Sequence, residues 1–294
     1  MKPRYITLPE NWNELTPEDW REALKIRQTM AETDHAWTVE DARIESARAM
    51  LKNRGVRQQL NNPQWLKLVN DIAQSLTWLW TVEGEAISLC YRSELNKLPK
   101  IQHGTKKEHQ EWLGPMDCGA DMTFGEFRQA IAHLKTYEQD QNPDALCALA
   151  GLLYRPKATE EQRTRYDRQM IRQPYDWDSL DEKIQRGELM KPWQRWGIYA
   201  WFAYFCEALT TETFIVEGEE ACFTPLFEST ADRGSGTKDG NSGGGLHQIC
   251  LTLAESHVFG TARDVDHTLL LTVMQKLLHD YRTLQKLKNE KIKK

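Results

Sequence analysis

Apolar residues recur along this chain at intervals of three and four far more often than at two, so the pattern predicts helices almost throughout. In LTPEDWREAL, Thr16 can cap, Pro17 suits the first helical position and Asp19 stands where the acid of a capping box belongs. WTVEDARIESARAMLKNRG repeats that arrangement with Thr38 and Asp41, and Gly55 supplies the stop. In NPQWLKLVNDIAQSLTWLW, Asn62 and Pro63 open a helix whose Trp65, Leu68, Val69, Ile72, Leu76 and Trp80 share one face. MTFGEFRQAIAHLKTYEQ offers Thr123 and Glu126 as a capping box ahead of an apolar face built on Phe124, Phe127, Ile131 and Leu134. Asn142 and Pro143 open the next helix, which stops before Pro156. Thr159 with Gln162, Ser179, and Pro192 mark three further starts, the last opening an aromatic helix that runs through Leu209. Two helical patterns close the chain, GLHQICLTLAESHVFG and a run from Thr261 to the terminus. The one convincing strand pattern in the first half is AISLCY at 86–91.

The predicted fold is therefore mostly α, an irregular multi-helix bundle with at most one or two short strands. The expected divisions are an N-terminal helical part at 1–95, a loop at 96–121 and a main helical domain at 122–294. That last part contains a flexible glycine-rich loop at 233–245 and a basic C-terminal helix.

Composition changes this picture little. Hydrophobic residues at 40% and charged residues at 28% fit a soluble globular chain. A net charge of −5 gives no electrostatic reason to expect nucleic acid as a partner. Eleven tryptophans make aromatic packing the expected main source of buried area. The six cysteines are scattered without a C-x-x-C pair, as in a reducing compartment. MKPRYITLPENW has no apolar signal segment, and WGIYAWFAYFCEAL is too short to span a bilayer comfortably. The expectation is a cytoplasmic protein without membrane contact.

Four places in the chain invite a chemical reading. RGSGTKDGNSGGG at 233–245 holds six of the 17 glycines, yet it has no G-K-[ST] for a phosphate loop and no calcium-loop spacing. Its glycine-flanked serine lacks the β fold that a serine protease triad needs, so the run reads as a connector. His279-Asp280, with His247, His257 and His267 upstream, suggests an all-helical metal phosphohydrolase, but no aspartate follows Asp280 to complete the ligands. His103 and His109 have no cysteine at ligand spacing. Asp176, Asp178, Asp181 and Glu182 favour the positive end of a helix starting near Ser179 over acid–base work. No catalytic residue, metal ligand or cofactor is expected. At the C-terminus, Leu270, Met274, Leu277, Tyr281 and Leu284 keep a near-heptad spacing ahead of KLKNEKIKK, too short a run to argue for a coiled coil.

Five strings, in order, carry a resemblance: ITLPENWNELT at 6–16, NKLPKI at 96–101, MTFGEFRQA at 122–130, GLLYRP at 151–156 and LAESHVFG at 253–260. The series resembles a family of mostly helical proteins encoded in the tail-gene region of phages and prophages, with TFGEF and LYRP its most specific elements. This chain departs from that family in its glycine insert and its extended basic end. The resemblance implies a tail assembly chaperone, binding the tape-measure or tail-tube protein in the bacterial cytoplasm, with self-association as a further mode. A structural tail connector of the virion is the alternative, and the phosphohydrolase the third. The resemblance brings no catalytic residues. Trp193, Trp196, Trp201, Phe205, Phe124 and Phe127 are the expected partner-binding candidates, with burial in the core the competing use of the same rings.

Overall fold

The computed structural model describes residues 6–33, 36–84, 86–103, 110–165, 170–231 and 242–292. Among these, the chain forms α1 (Pro17–Glu32), α2 (Val39–Asn53), α3 (Pro63–Ser75), β1 (Trp80–Glu83), β2 (Ala86–Leu89), β3 (Lys100–His103) and β4 (Gln110–Leu113). There follow α4 (Phe124–Asp140), α5 (Pro143–Leu153), β5 (Arg155–Pro156), α6 (Glu160–Arg165), α7 (Leu180–Glu188) and α8 (Pro192–Thr211). The last elements are β6 (Thr213–Val216), β7 (Glu219–Cys222), α9 (Thr224–Ala231), α10 (Ser242–Glu255), α11 (Ala262–His267) and α12 (Leu270–Ile292). The mostly helical class holds. The expected one or two strands become seven among the described residues, paired antiparallel in three small sheets. No helix among the described residues is long and apolar enough to cross a membrane.

The chain divides into two units, Met1–Leu98 with Lys191–Trp201, and Pro99–Met190 with Phe202–Lys294. In the first, both predicted capping boxes form: Thr16 with Asp19 opens α1 and Thr38 with Asp41 opens α2. Asn62 caps α3 through the Gln64 amide. The apolar face predicted for α3 runs past its true end, because the chain turns through a 3-10 segment at Leu76–Trp78 into β1. Trp80 is thus a strand residue, fully buried, and its indole N–H donates to Ser46 Oγ at 2.8 Å. Leu68, placed on the same predicted face, is exposed. Trp12, Trp20, Trp78 and Tyr91 pack together, with ring centroids 4.7–5.5 Å apart. Beside them Asp19 is buried and accepts from Asn53 and Arg54.

In the second unit α5 is the most enclosed helix, with every residue from Cys147 to Leu153 buried. It crosses α7 at two glycines. Gly151 of α5 faces the Lys183 carbonyl of α7, and Gly187 of α7 faces the Cys147 carbonyl of α5. A β-carbon at either place would overlap the opposing backbone. The stretch 96–121, expected to be a loop, carries the β3–β4 hairpin, and β5 adds to it with Leu113 opposite Arg155 and Trp112 opposite Pro156. The weakly patterned segment after α8 is a second hairpin, β6–β7, followed by α9. Its two-residue turn places both Glu217 (φ 53°) and Gly218 (φ 86°) in the left-handed region. The run predicted as one helix from Thr261 is two. The chain extends at Thr268–Leu269, where Thr268 accepts from the Phe124 amide and the Leu270 amide donates to Met122. Of the glycine-rich run, residues 233–241 lie outside the described residues, and α10 begins at Ser242.

Candidate functional site

The TFGEF and LYRP strings meet. Thr123 caps α4 as predicted, its hydroxyl accepting from the Glu126 amide at 3.3 Å. The carboxylate of Glu126 does not turn back to complete a box. It is fully buried and pairs with Arg155 at 3.1 Å and with Arg172 at 2.9 Å. That exchange has a physical reason: a capping box on the surface is a weak local bond, whereas two guanidiniums in the interior require a counter-charge. Arg155 ends α5 by donating to the Leu152 carbonyl, and Arg172 donates to the Leu153 carbonyl at 2.7 Å and to Asp121 at 2.8 Å. The four side chains therefore balance, two cations against two carboxylates, and they tie the start of α4 to the end of α5 and to the strand-like segment at Arg172.

The balance is uneven within the cluster. At Arg172 burial works against the charge, but Glu126 and Asp121 together outweigh it and raise the pKa above the usual arginine value. At Arg155 burial prevails over the attraction of Glu126, with Arg172 adding repulsion, and the value falls. Arginine stays protonated in either case. Glu126 is the shared counter-ion, and Asp121 serves Arg172.

Beside this network lies a cavity of about 310 Å³ lined in part by Asp121, Arg155, Arg172, Tyr175, His267 and Leu269. Its polar wall is also internally paired. His267 Nε2 lies 3.3 Å from Asp176, which draws the Asp176 pKa below the ordinary carboxylate value. Arg128 donates to Asp266 at 2.6 Å. Burial, then Asp266 and Asp176, push the Tyr175 phenol well above its ordinary pKa. Gly125 is required here: a β-carbon at that position would strike the Tyr175 hydroxyl and come within 2.8 Å of Asp266 Cβ. A glycine at 125 thus permits the close approach of Tyr175 and α11.

The aromatic candidates separate into two groups. Trp201, Phe205, Phe124 and Phe127 lie in the core, between 0 and 6% exposed, where a partner cannot touch them without opening the fold. Phe127 meets Phe202 and Phe205 edge-on, and Phe205 meets Phe214. Trp193 and Trp196 keep part of their surface on the first turns of α8. Arg27 lies 3.8 Å from the Trp196 ring centroid and Lys25 is 6.0 Å from that of Trp193. The pair forms a half-buried aromatic patch edged by cations on α1.

The histidines are dispersed. His247 is beside Arg128, His267 beside Asp176, and His279 is exposed next to Asp280, which pairs with Lys276. His109 lies outside the described residues. Among the described residues no group of three His, Cys, Asp or Glu side chains is placed to hold a metal ion. Of the acidic run, Glu182 forms a capping box with Ser179, Asp178 pairs with Arg186 and Asp176 with His267. No family model, curated protein or solved structure matches the chain.

Proposed function

We propose that this chain is a non-enzymatic protein of phage or prophage tail morphogenesis that acts by binding, as an assembly chaperone for the tape-measure or tail-tube protein in the host cytoplasm. The observation that supports it is the Glu126–Arg155 pair, which joins the two most specific strings of the resemblance in one buried network. Two strings that meet through a buried charge pair are constrained together in this fold. The same pairing commits the cluster's charges to one another, which suits a structural role for these motifs. The Trp193–Trp196 patch with Lys25 and Arg27 is the surface that a partner would use, since aromatic and cationic side chains concentrate at binding hot spots.

The test is co-expression with a phage tape-measure protein. The chaperone reading expects more soluble tape-measure protein and its recovery with this chain, both reduced by a Trp193→Ala and Trp196→Ala variant. Stoichiometric presence of the chain in purified virions would overturn that reading in favour of a structural tail component.

A further inference from the structure

In the first unit a groove of about 570 Å³ runs between α1, α2 and the chain that leaves α2. Helical spacing sets its walls, with Glu22 and Ile26 one turn apart on α1 and Arg48 and Lys52 one turn apart on α2. Gly55, at φ 74°, ends α2. Its amide donates to the Lys52 carbonyl and the Val56 amide donates to the Leu51 carbonyl, each at 2.9 Å. That turn brings Val56 and Arg57 to the groove, whose apolar surface comes from Ile26, Ala49, Val56 and the buried Trp65 of α3.

The charges of the groove do not balance. Both carboxylates are engaged, Glu22 with Lys25 at 2.6 Å and Glu45 with Arg48. Lys52 and Arg57 are exposed and make no ion pair among the described residues. Hydrogen bonding leans the same way: Arg48 Nε and Trp65 Nε1 are buried donors without an acceptor among the described residues. The carbonyl end of α2 explains a cation at Lys52, but Arg57 lies beyond the helix. The groove is thus rich in cations and donors and short of acceptors, beside an apolar surface and a volume suited to a small molecule.

We propose that this groove binds a small organic acid, with its carboxylate at Lys52 and Arg57 and its apolar body against Ile26, Ala49 and Val56. Charge and surface select this class. A metal cation would meet unpaired cations and no free carboxylate. An inorganic anion would leave the apolar surface in water, and a neutral or cationic ligand would leave Lys52 and Arg57 unanswered. The site is independent of the tail-assembly reading.

The experiment uses the full chain with isotope-labelled tryptophan and three ligands that share one apolar body: naphthylacetate, naphthylethanol and naphthylethylamine. The readout is the indole N–H resonance of Trp65, assigned by its loss in Trp65→Phe, because a bicyclic ring in the groove shifts it. For a ligand of this size the proposal expects naphthylacetate to saturate that signal with a Kd of about 1 mM or tighter. It expects naphthylethanol to bind about threefold to tenfold more weakly, and the amine more weakly still. Lys52→Gln with Arg57→Gln should remove the preference for the acid and leave the alcohol's affinity as it is, whereas Lys52→Arg with Arg57→Lys should keep the preference. Ala49→Glu, which stands a carboxylate in the groove, should weaken the acid more than the alcohol. Circular dichroism checks each fold. Equal affinity for acid and alcohol in the unsubstituted chain overturns the proposal, as does a Trp65 signal that the acid fails to saturate. So does an acid preference that survives loss of both cations, or binding that moves other indole signals and leaves Trp65 unmoved. Each of those results leaves the tail-assembly reading to its own co-expression test.

Discussion

Alanine is a better helix former than glycine by about 1 kcal/mol, so a Gly→Ala change inside a helix ordinarily stabilises. At Gly151 and Gly187 the opposite is predicted. The added carbon would lie well inside the 3.0 Å that real β-carbons keep from a neighbour, and the neighbour is a backbone carbonyl that cannot rotate away. The helices α5 and α7 would have to part by roughly 1 Å, and interiors packed at crystal density do not absorb such a shift locally. Since Cys147 to Leu153 are all buried, the strain spreads through the most enclosed helix of the unit. Overpacking of this kind costs about 1–3 kcal/mol even after relaxation. Each single variant should therefore lose about 2 kcal/mol, and the double variant less than twice that, because one separation accommodates both carbons. Hydrogen exchange read by mass spectrometry in α5 and α7 peptides is the suitable assay, since a chain of two units need not unfold in one step. If either alanine variant matched or exceeded the parent's protection, the close crossing of these helices would be refuted.

Acid should weaken the first unit through Asp19. Burial opposes its charge, but hydrogen bonds from Arg54, Asn53 and Thr16 outweigh that and hold its pKa below the usual 3.8. A depressed folded pKa contributes stability that is present above the unfolded value and lost as pH falls through the folded one. Asp19→Asn should accordingly be less stable at neutral pH and show a flatter loss of stability below pH 4, measured by urea unfolding across that range. Thiol labelling should also discriminate. Cys250 is 1% exposed, with burial and Asp266 raising its pKa, so iodoacetamide should modify it more slowly than half-buried Cys222 in the native chain. Equal rates without denaturant would contradict the placement of Cys250. Glu217→Gly should stabilise the β6–β7 hairpin by up to about 1 kcal/mol, because φ at that turn position is positive. A lowered melting temperature would count against the turn.

The helices were legible because their signals are local. Thr16 with Asp19, Thr38 with Asp41, and Ser179 with Glu182 each settle a helix start within four residues. The sheets were not legible, for two reasons. Their strands are two to four residues long, too short for a period of two to stand out, and β5 pairs with β4 across some forty residues of chain. The β6–β7 turn is Glu-Gly, without the Asn-Gly or Asp-Gly that announces a hairpin. The last predicted helix breaks at Thr268–Leu269 because the backbones of Thr268 and Leu270 pair with Phe124 and Met122, which no pattern between 261 and 294 reveals. Glu126 misled for a similar reason. Its spacing from Thr123 fits a capping box, and the partners that claim its carboxylate are remote, Arg172 being 46 residues away. A signal was present nonetheless, since an arginine at 155, directly after the apolar run ALCALAGLLY, needs a counter-charge once buried. Of the six aromatic residues offered as partner-binding candidates, four are buried packing residues, and spacing alone could not separate Trp193 and Trp196 from them.

TFGEF and LYRP form one buried charge network through Glu126 and Arg155, not two surface motifs. A double-mutant cycle tests it directly, with Glu126→Gln, Arg155→Met and the pair together, stability being read from exchange in α4 and α5. Removing Glu126 alone leaves two buried guanidiniums facing only Asp121, and should cost about 3–5 kcal/mol. Removing both Glu126 and Arg155 leaves Arg172 balanced by Asp121, so the double variant should recover about 2–3 kcal/mol relative to the sum of the singles. Single effects that add to within about 0.5 kcal/mol would contradict the account.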